Sequence, residues 1–327
     1  MTSSPPLFTA HDVPDLINAV PTLFGFRVEE SLVAVATTGP RRRFGFRLRM
    51  DVPPAEKAAA VARKVVAHLT NHGAEGAIVI ALTEHQEAAL LVLDAIHDRL
   101  EQTPGIELIV RARADGERYW TDEPGFPPVG LPYETSDHHL SVVQAIAAGQ
   151  QILPSRQALV DRFKPVTGVR RRWLEHAAAT VLDEVVPEVA RTAPGELAAT
   201  GMAVVAPILD QVRAREQVSD ADLLRLAAWV STVSVRDEVW GLMTRANAEE
   251  MLAALTVVSS RVVPPFEPAV LSLAAFAAWL TGDGAQALIA VERALEVEPC
   301  YSMAGLILEI LERGISPESW EGLPAAS

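Results

Sequence analysis

The chain has 327 residues, of which 49% are hydrophobic and 21% are charged, and its formal net charge at pH 7 is -14. This composition is typical of a globular protein and excludes a largely disordered one. The acidic charge argues against general nucleic-acid binding, because phosphate backbones attract basic surfaces. The length suits about two domains of roughly 100–200 residues each.

The sequence also carries signals about the compartment. No stretch approaches 18 uninterrupted apolar residues, so we expect no membrane span. The N-terminal sequence MTSSPPLFTAHDVPDL lacks a basic start followed by an apolar run, and therefore predicts no secretory signal. Cys300 is the only cysteine, which rules out a disulfide within the chain and suits a reducing environment. We therefore expect a cytoplasmic protein.

The first half of the sequence begins with two strand patterns. SLVAVAT (31–37) is apolar on both faces, which predicts a central strand. FGFRLRMDV (44–52) alternates apolar and polar residues, so that one face is apolar and the other presents Arg47, Arg49 and Asp51. The basic turn RRR between the two strands is interpreted as solvated, with a phosphate or acidic-partner contact as the alternative.

Helices and strands then alternate. We predict a helix over 54–72, a buried strand over 77–82, and a second helix opened by the capping-box sequence Thr83–Gln86. A third core strand covers 106–113, and the Asp-Gly turn after it predicts a hairpin with a strand that carries Tyr119–Trp120. The order β-β-α-β-α-β-β indicates an α/β layer with a mixed sheet.

A proline- and glycine-rich segment, 121–135, follows this layer. Long loops on rigid scaffolds often carry function, although an ordered surface crossover is the simpler interpretation. Helices capped by Ser136 and Ser155 come next, and the remaining sequence shows helical spacing only. We therefore expect an α/β domain, with a mixed sheet and flanking helices, over 1–165 and an all-helical domain over 166–327.

The end of the helical half resembles a tetratricopeptide repeat, a helical hairpin used mostly to hold partners. GDGAQALIAVERALEVEP (282–299) places Ala287 and Ala294 where two antiparallel helices touch, and Pro299 where the second helix ends. The preceding helix, 268–280, lacks the tryptophan, glycine and tyrosine of the repeat. A repeat array needs about three units, and no second copy is visible. We therefore expect the hairpin to complete its own domain's core, with a partner groove as the alternative.

Segments from both halves resemble a single family. They are DLINAVPTLFGFRVEESLVAVA (15–36), FRLRMDVP (46–53), LPSR (153–156), RDEVWGLM (236–243) and AAFAAWLTGDGAQALIAVERAL (274–295). In this order they are similar to the actinobacterial domain of unknown function 4192 family. The resemblance implies a cytoplasmic protein whose two halves form one family unit. It implies no activity, cofactor or metal site.

The sequence contains no compact catalytic motif. Neither a phosphate-binding glycine turn nor a Gly-x-Ser-x-Gly elbow is present, and whether the protein is an enzyme stays open. His68 and His72 lie four residues apart, but their place in the last turn of a helix favours interaction with the helix dipole over metal binding. His138 and His139 are interpreted as surface residues. We expect no metal and no cofactor.

The best candidate ligand site is assembled from distant segments. Its residues are Arg47, Arg49, Asp51, Tyr119, Trp120, Asp122 and Arg156. If the strand order brings these residues together, they line a cleft for a small anionic molecule, with arginines for charge and aromatic rings for stacking. In the alternative, the strand face is solvated, the aromatic residues pack the loop, and Arg156 braces a helix end.

Two functions remain in view. The first is a protein-interaction or scaffold protein that binds a partner through its helical half, within Val270–Trp320. The second is a binding protein or enzyme for an anionic metabolite, with its site on the α/β half. In neither case do we expect a membrane or general nucleic-acid partner.

Overall fold

The chain divides into two compact units, Met1–Ala158 and Leu159–Ser327, in a computed structural model that describes residues 9–320. The first unit contains a six-stranded mixed sheet with helices, and the second consists of packed helices. The predicted fold class is therefore confirmed. The start of the sequence used for the signal prediction, residues 1–8, and the end of the predicted helical domain, residues 321–327, lie outside the described residues.

The first unit follows the predicted order of elements, with a helix added before the first strand and a short strand after the hairpin. In chain order its elements are α1 (Val13–Phe24), β1 (Ser31–Thr38), β2 (Arg43–Asp51), α2 (Ala58–Asn71), β3 (Gly76–Leu82), α3 (Gln86–Glu101), β4 (Glu107–Ala114), β5 (Arg118–Thr121), β6 (Leu131–Pro132) and α4 (Leu140–Ala147). The strands lie in the order β2-β1-β3-β4-β5-β6. Within residues 9–320, β3 and β4, which α3 connects, pair in parallel, and the other neighbouring strands of the sheet pair antiparallel.

The strand patterns follow from the positions of the strands in the sheet. β1 and β3 lie in its interior, and every residue of β3 is buried, which explains their continuous apolar sequences. β2 forms an edge, and its half-buried apolar residues Phe46, Leu48 and Met50 alternate with polar ones, of which Arg47 and Asp51 are exposed and Arg49 is half-buried. One face of the sheet, which includes Leu32, Ala34 and Val79, packs against α2 and α3 through Val65 and Ile96.

Two of the predicted helix caps are wrong. Thr83 does not cap α3, because the helix begins at Gln86 with His85 at its N-cap. The Thr83 hydroxyl accepts from the His85 amide at 3.0 Å and donates to the Glu30 carboxylate at 2.5 Å. Ser136 lies one turn too early, and α4 has His139 at its N-cap. The Ser155 cap is confirmed, since the Ser155 hydroxyl accepts a hydrogen bond from the amide of Ala158 at the start of the short helix α5 (Arg156–Val160).

The second unit is helical throughout its described part. Its helices are α6 (Gly168–Arg191), α7 (Leu197–Arg213), α8 (Asp220–Val230), α9 (Val233–Gly241), α10 (Ala248–Ser259), α11 (Glu267–Leu280), α12 (Gly284–Val297) and α13 (Ser302–Glu312). Over residues 9–320, no helix has both the length and the apolar sequence needed to cross a membrane.

The predicted hairpin corresponds to α11 and α12. All residues of α11 are buried, and α11 contacts α8, α9, α10, α12 and α13. Ala287 and Ala294 are fully buried, as expected for small residues between closely packed helices. The hairpin therefore forms part of the core of its own unit. Its likeness to a tetratricopeptide repeat stays a prediction.

Candidate functional site

The sheet separates the seven candidate residues into two groups. Asp51 on β2 and Tyr119 on β5 lie in one row of paired residues that runs through Ser31, Leu82 and Ala114. Three strands lie between β2 and β5. Four strand spacings of about 4.8 Å therefore separate the two residues by about 19 Å. The structure therefore does not bring Tyr119 to the arginines of β2.

Trp120 lies on the opposite face of the sheet from Arg49. Trp120 pairs across the hairpin with Arg113, and Arg113 pairs with Ala81 of β3. Ala81 belongs to the core that α2 and α3 cover, so Trp120 lies on the face of the sheet that carries these helices. Arg49 pairs with Val33 on the other face, because successive side chains of a strand alternate between faces. A single cleft lined by all seven residues is therefore excluded for the described geometry.

The aromatic group of candidates packs the loop after β5. The Trp120 indole N–H donates to the carbonyl oxygen of Pro128 at 3.0 Å, and the guanidinium of Arg113 lies 3.6 Å from the centre of the Trp120 ring. Tyr119 contacts the rings of Phe126 and Tyr133. These contacts match the alternative in which the aromatic residues order the loop.

Asp122 is engaged by an arginine of the neighbouring strand. Its carboxylate lies 2.9 Å from the guanidinium of Arg111, which also bonds Asp94 on α3. Asp122 therefore ties the hairpin to the side of the sheet that α3 covers, away from Arg47 and Arg49.

The remaining candidates gather at one corner of the sheet. Arg49 is only 15% exposed; its Nε donates to the hydroxyl of Ser31 at 2.8 Å, and its Nη2 lies 2.7 Å from the Asp51 carboxylate. Burial lowers the pKa of Arg49, the Asp51 charge opposes this shift, and the positive charge of Arg156 adds to it. Arg156 therefore lies close enough for its charge to act on Arg49. Arg47 is on the same strand face, two residues earlier.

Arg156 reaches this corner through pairing of the chain before it. The backbone of Leu153 bonds to Gly25 and to Arg27, and Phe26 and Leu153 form a parallel bridge. The segment that carries Arg156 is thus fixed beside the chain that enters β1. Like charges brought together in this way favour an anion between or beside them.

Glu30 completes the corner and was not predicted. Its carboxylate accepts hydrogen bonds from the Thr83 hydroxyl at 2.5 Å and from the Glu84 amide at 3.4 Å, and the His85 ring lies 3.9 Å away. The backbone of Glu30 has φ +44°, a left-handed conformation that non-glycine residues seldom adopt. Backbone strain of this kind concentrates at functional sites.

The corner lies at the edge of the sheet where the carboxyl ends of β2, β3 and β4 meet. β2 ends at Asp51, β3 at Leu82 and β4 at Ala114, and these residues belong to one paired row. Ligands of α/β sheets bind outside the carboxyl ends of the strands. We define Glu30, Arg47, Arg49, Asp51, Thr83, His85 and Arg156 as the corner site. Its chemistry suits recognition of an anion by guanidinium groups next to fixed carboxylates.

The basic turn Arg41–Arg43 lies at the other end of the sheet. Its Arg42 has φ +47°, and its guanidinium bonds both oxygens of the exposed Glu107 carboxylate at 3.1 Å. The prediction of a solvated turn between two strands is confirmed. The turn is remote from the corner site because it joins the opposite ends of β1 and β2.

A second polar cluster links α1 to α4. His138 and His139 were predicted to lie on the surface; His138 is exposed, whereas His139 is half-buried, with its ring 19% exposed and in contact with Asp15 at 3.1 Å and Ser141 at 2.8 Å. Buried Asn18 holds the same region together, since its amide donates to the Glu134 carbonyl. No local pattern indicates this cluster, because Asp15 and His139 are more than a hundred residues apart.

The histidine pair on α2 packs against β2. His72 stacks on Phe46 with ring centres 3.8 Å apart, and His68 is buried beside them. Burial, together with the charge of Lys64, lowers the pKa of His68. Throughout residues 9–320, no group of three metal-ligating side chains is placed to hold an ion.

The chain thus consists of an α/β unit, which carries a candidate anion site, followed by a helical unit. The chain belongs to the DUF4192 family, described as "Domain of unknown function (DUF4192)", whose model matches residues 14–318. The match spans both units, so the family indicated by the sequence segments is confirmed. Comparisons with curated proteins and with solved structures find no match.

Proposed function

We propose that the chain binds a small anionic molecule at the corner site of its α/β unit. One observation carries the proposal: the Arg49 guanidinium contacts the Asp51 carboxylate at the end of β2, and the positive charge of Arg156 acts on Arg49 there. Three segments that carry the family resemblance supply these residues and Glu30. The proposed ligand is a carboxylate or phosphate compound, since guanidinium groups pair with such groups through two parallel hydrogen bonds.

Thermal unfolding with and without anions tests this proposal. Inorganic phosphate, pyrophosphate, nucleotides and di- and tricarboxylates are added separately to the full-length protein. An anion present at 100 times its dissociation constant adds about 2.7 kcal/mol to the free energy of unfolding. We expect at least one of them to stabilise the wild type and to lose this effect in Arg156→Gln.

A matched control comes from the other end of the sheet. Arg42→Gln also removes one positive charge, but Arg42 lies in the turn before β2 and pairs with exposed Glu107. It should leave the stabilisation by the anion unchanged. Equal loss in both variants would indicate a nonspecific charge effect, and no stabilisation by any anion would reject the proposal.

A protein partner for the helical unit is the second candidate function. α6 buries only Leu174, Ala178, Val181 and Val185, and on another face it exposes Trp173 by 51% and Val169 by 74%. The guanidinium of Arg170 lies 5.0 Å from the Trp173 ring. Tryptophan and arginine are enriched among residues that dominate binding energy at interfaces.

A substitution at Trp173 distinguishes a partner surface on α6 from one on the hairpin α11–α12. Truncation before α11 is a poor test, because α11 is buried in the core and its removal would unfold the unit. Crosslinking mass spectrometry in the native host should instead place a partner near Trp173, and Trp173→Ala should remove it. A partner that crosslinks to Val270–Trp320 and ignores Trp173→Ala would favour the hairpin surface.

A further inference from the structure

The cluster between α1 and α4 has the connectivity of an acid, a base and a nucleophile. Nε2 of His139 lies 3.1 Å from the Asp15 carboxylate, and Nδ1 lies 2.8 Å from the Ser141 hydroxyl. We propose that Ser141, His139 and Asp15 form a nucleophilic centre that hydrolyses small uncharged esters. This centre is separate from the corner site and does not depend on anion binding there.

The hydrogen-bond distances define the direction of proton transfer. The Asp15 carboxylate can only accept when ionised, so Nε2 of His139 carries the hydrogen and Nδ1 is the acceptor. Burial raises the pKa of Asp15, but hydrogen bonds from the His11 amide and from His139 outweigh it and lower the pKa overall, which favours the ionised form. The Ser141 hydroxyl is 3.4 Å from its other acceptor, the Asn18 carbonyl, against 2.8 Å from Nδ1. The serine proton therefore points to His139.

These contacts meet the geometric requirements of the serine–histidine–aspartate arrangement. The nucleophile lies within hydrogen-bond reach of its base, and the base is oriented by a carboxylate. In that template Nε2 accepts the serine proton and Nδ1–H donates to the aspartate, whereas here Nδ1 faces Ser141 and Nε2 faces Asp15. Proton transfer is still possible, because either ring nitrogen can accept a proton. Ser141 is the second residue of α4, where backbone N–H groups have no partner within the helix. Such donors stabilise a developing oxyanion.

Burial sets the class of substrate. Ser141 is only 4% exposed, which limits attack to short acyl groups, whereas its neighbours Leu140 and Val143 are 59% and 46% exposed and present an apolar surface. Short-chain esters without charge fit this combination. A long or charged acyl group would have to displace α4 or lose its hydration.

The chemical steps balance without a further reactant except water. The Ser141 oxygen attacks the ester carbonyl carbon while its proton moves to Nδ1 of His139. The ester C–O bond then breaks, and the departing alkoxide takes that proton to leave as the alcohol. Water repeats the two steps on the acyl-serine, which releases the carboxylic acid and restores Ser141.

Covalent labelling of the folded wild type is the primary test, since it needs no variant. Methanesulfonyl fluoride, a reagent small enough for a buried serine, should sulfonylate Ser141, and peptide mass spectrometry should locate the adduct. Hydrolysis of p-nitrophenyl acetate should fall at least ~100-fold in Ser141→Ala, because this variant lacks the nucleophile. Ser136→Ala is the matched control, because Ser136 lies in the same segment and its hydroxyl accepts from the His138 amide rather than from His139.

Asp15 acts as a positioning residue and has its own readout. Asp15→Asn should lower kcat for p-nitrophenyl acetate while leaving KM unchanged, since it disturbs the tautomer and not substrate binding. The proposal is overturned if the folded wild type gives no adduct at Ser141, or if Ser141→Ala hydrolyses the ester as fast as the wild type. The cluster would then serve only to fasten α4 to α1.

Discussion

At the scale of single residues, the helical core contains a buried ion pair. Glu267 is 3% exposed, and both oxygens of its carboxylate bond the guanidinium of Arg293, at 2.9 and 3.1 Å. Burial raises the pKa of Glu267, and the charge of Arg293 opposes that shift. Removing one member of such a pair leaves a buried charge without compensation.

A double-mutant cycle measures this pair. Arg293→Met alone should lower the free energy of unfolding by about 3–5 kcal/mol. Glu267→Leu combined with Arg293→Met should recover most of the loss, since apolar side chains can replace a buried pair with little cost. Urea unfolding of the two single variants, Arg293→Met and Glu267→Leu, and of the double variant gives the three values of the cycle. Losses that simply add would contradict the proposed role of burial.

The same pair predicts a dependence on pH. Because the pKa of folded Glu267 is raised above its usual 4.5, the folded state keeps the proton where the unfolded state has released it. The contribution of Glu267 is therefore largest at pH below 4.5 and decreases as pH rises through the folded pKa. Relative to Glu267→Gln, the wild type should lose stability as the pH rises above 4.5, as measured by urea unfolding. A relative gain over that range would have the wrong sign.

At the scale of elements, close packing of α7 depends on one glycine. A Cβ built on Gly201 would lie 2.9 Å from the Trp229 ring and closer still to Val235. Gly201 therefore lets α7 approach α8 and α9. The glycine of α13, Gly305, has nothing within 4 Å of such a Cβ.

This difference predicts opposite effects of one substitution. Gly201→Ala should destabilise by about 1–3 kcal/mol through overpacking, despite the better helix propensity of alanine. Gly305→Ala should stabilise by about 1 kcal/mol, because only propensity changes there. Thermal unfolding of the two variants checks both signs. Stabilisation by Gly201→Ala would contradict this account, because it would mean that a methyl group fits between α7 and the side chains of Trp229 and Val235.

Local sequence patterns predicted the strands and helices but not the assembled site. Buried β1 and β3 and alternating β2 follow from periodicity, and the Asp-Gly turn gave the β4–β5 hairpin. Strand order is not a local property: with β2 at one edge and β5 near the other, Trp120 could not join Arg49. The predicted Thr83 cap is wrong because α3 begins two residues later, at Gln86, and the contact of the Thr83 hydroxyl with Glu30 joins segments distant in sequence.

At the scale of the whole molecule, each unit has its own core. The sheet core is formed with α2 and α3, and the helical core surrounds α11. The division into α/β and helical parts was visible in the sequence because strand patterns stop before the helical half. The contact of Asp15 with His139 was not visible in the sequence, because it depends on how α1 and α4 pack against each other.

Separate cores predict a local response to core damage. In Gly201→Ala, faster amide hydrogen exchange should be confined to peptides of residues 159–320, because the strained contacts belong to α7, α8 and α9. Exchange in β1 and β3 should match the wild type. Uniform acceleration across both units would show that the chain opens as a single cooperative body.

Nuclear magnetic resonance of the arginine side chains tests anion binding at the corner site most directly. The Nε–H signals of the ¹⁵N-labelled full-length protein are followed while the stabilising anion is added, or phosphate if none is found. We predict a saturable shift of the Arg49 signal that weakens in Arg156→Gln and persists in Arg42→Gln. An Arg49 signal that stays fixed while exposed arginines shift without saturation would contradict anion binding at the corner site.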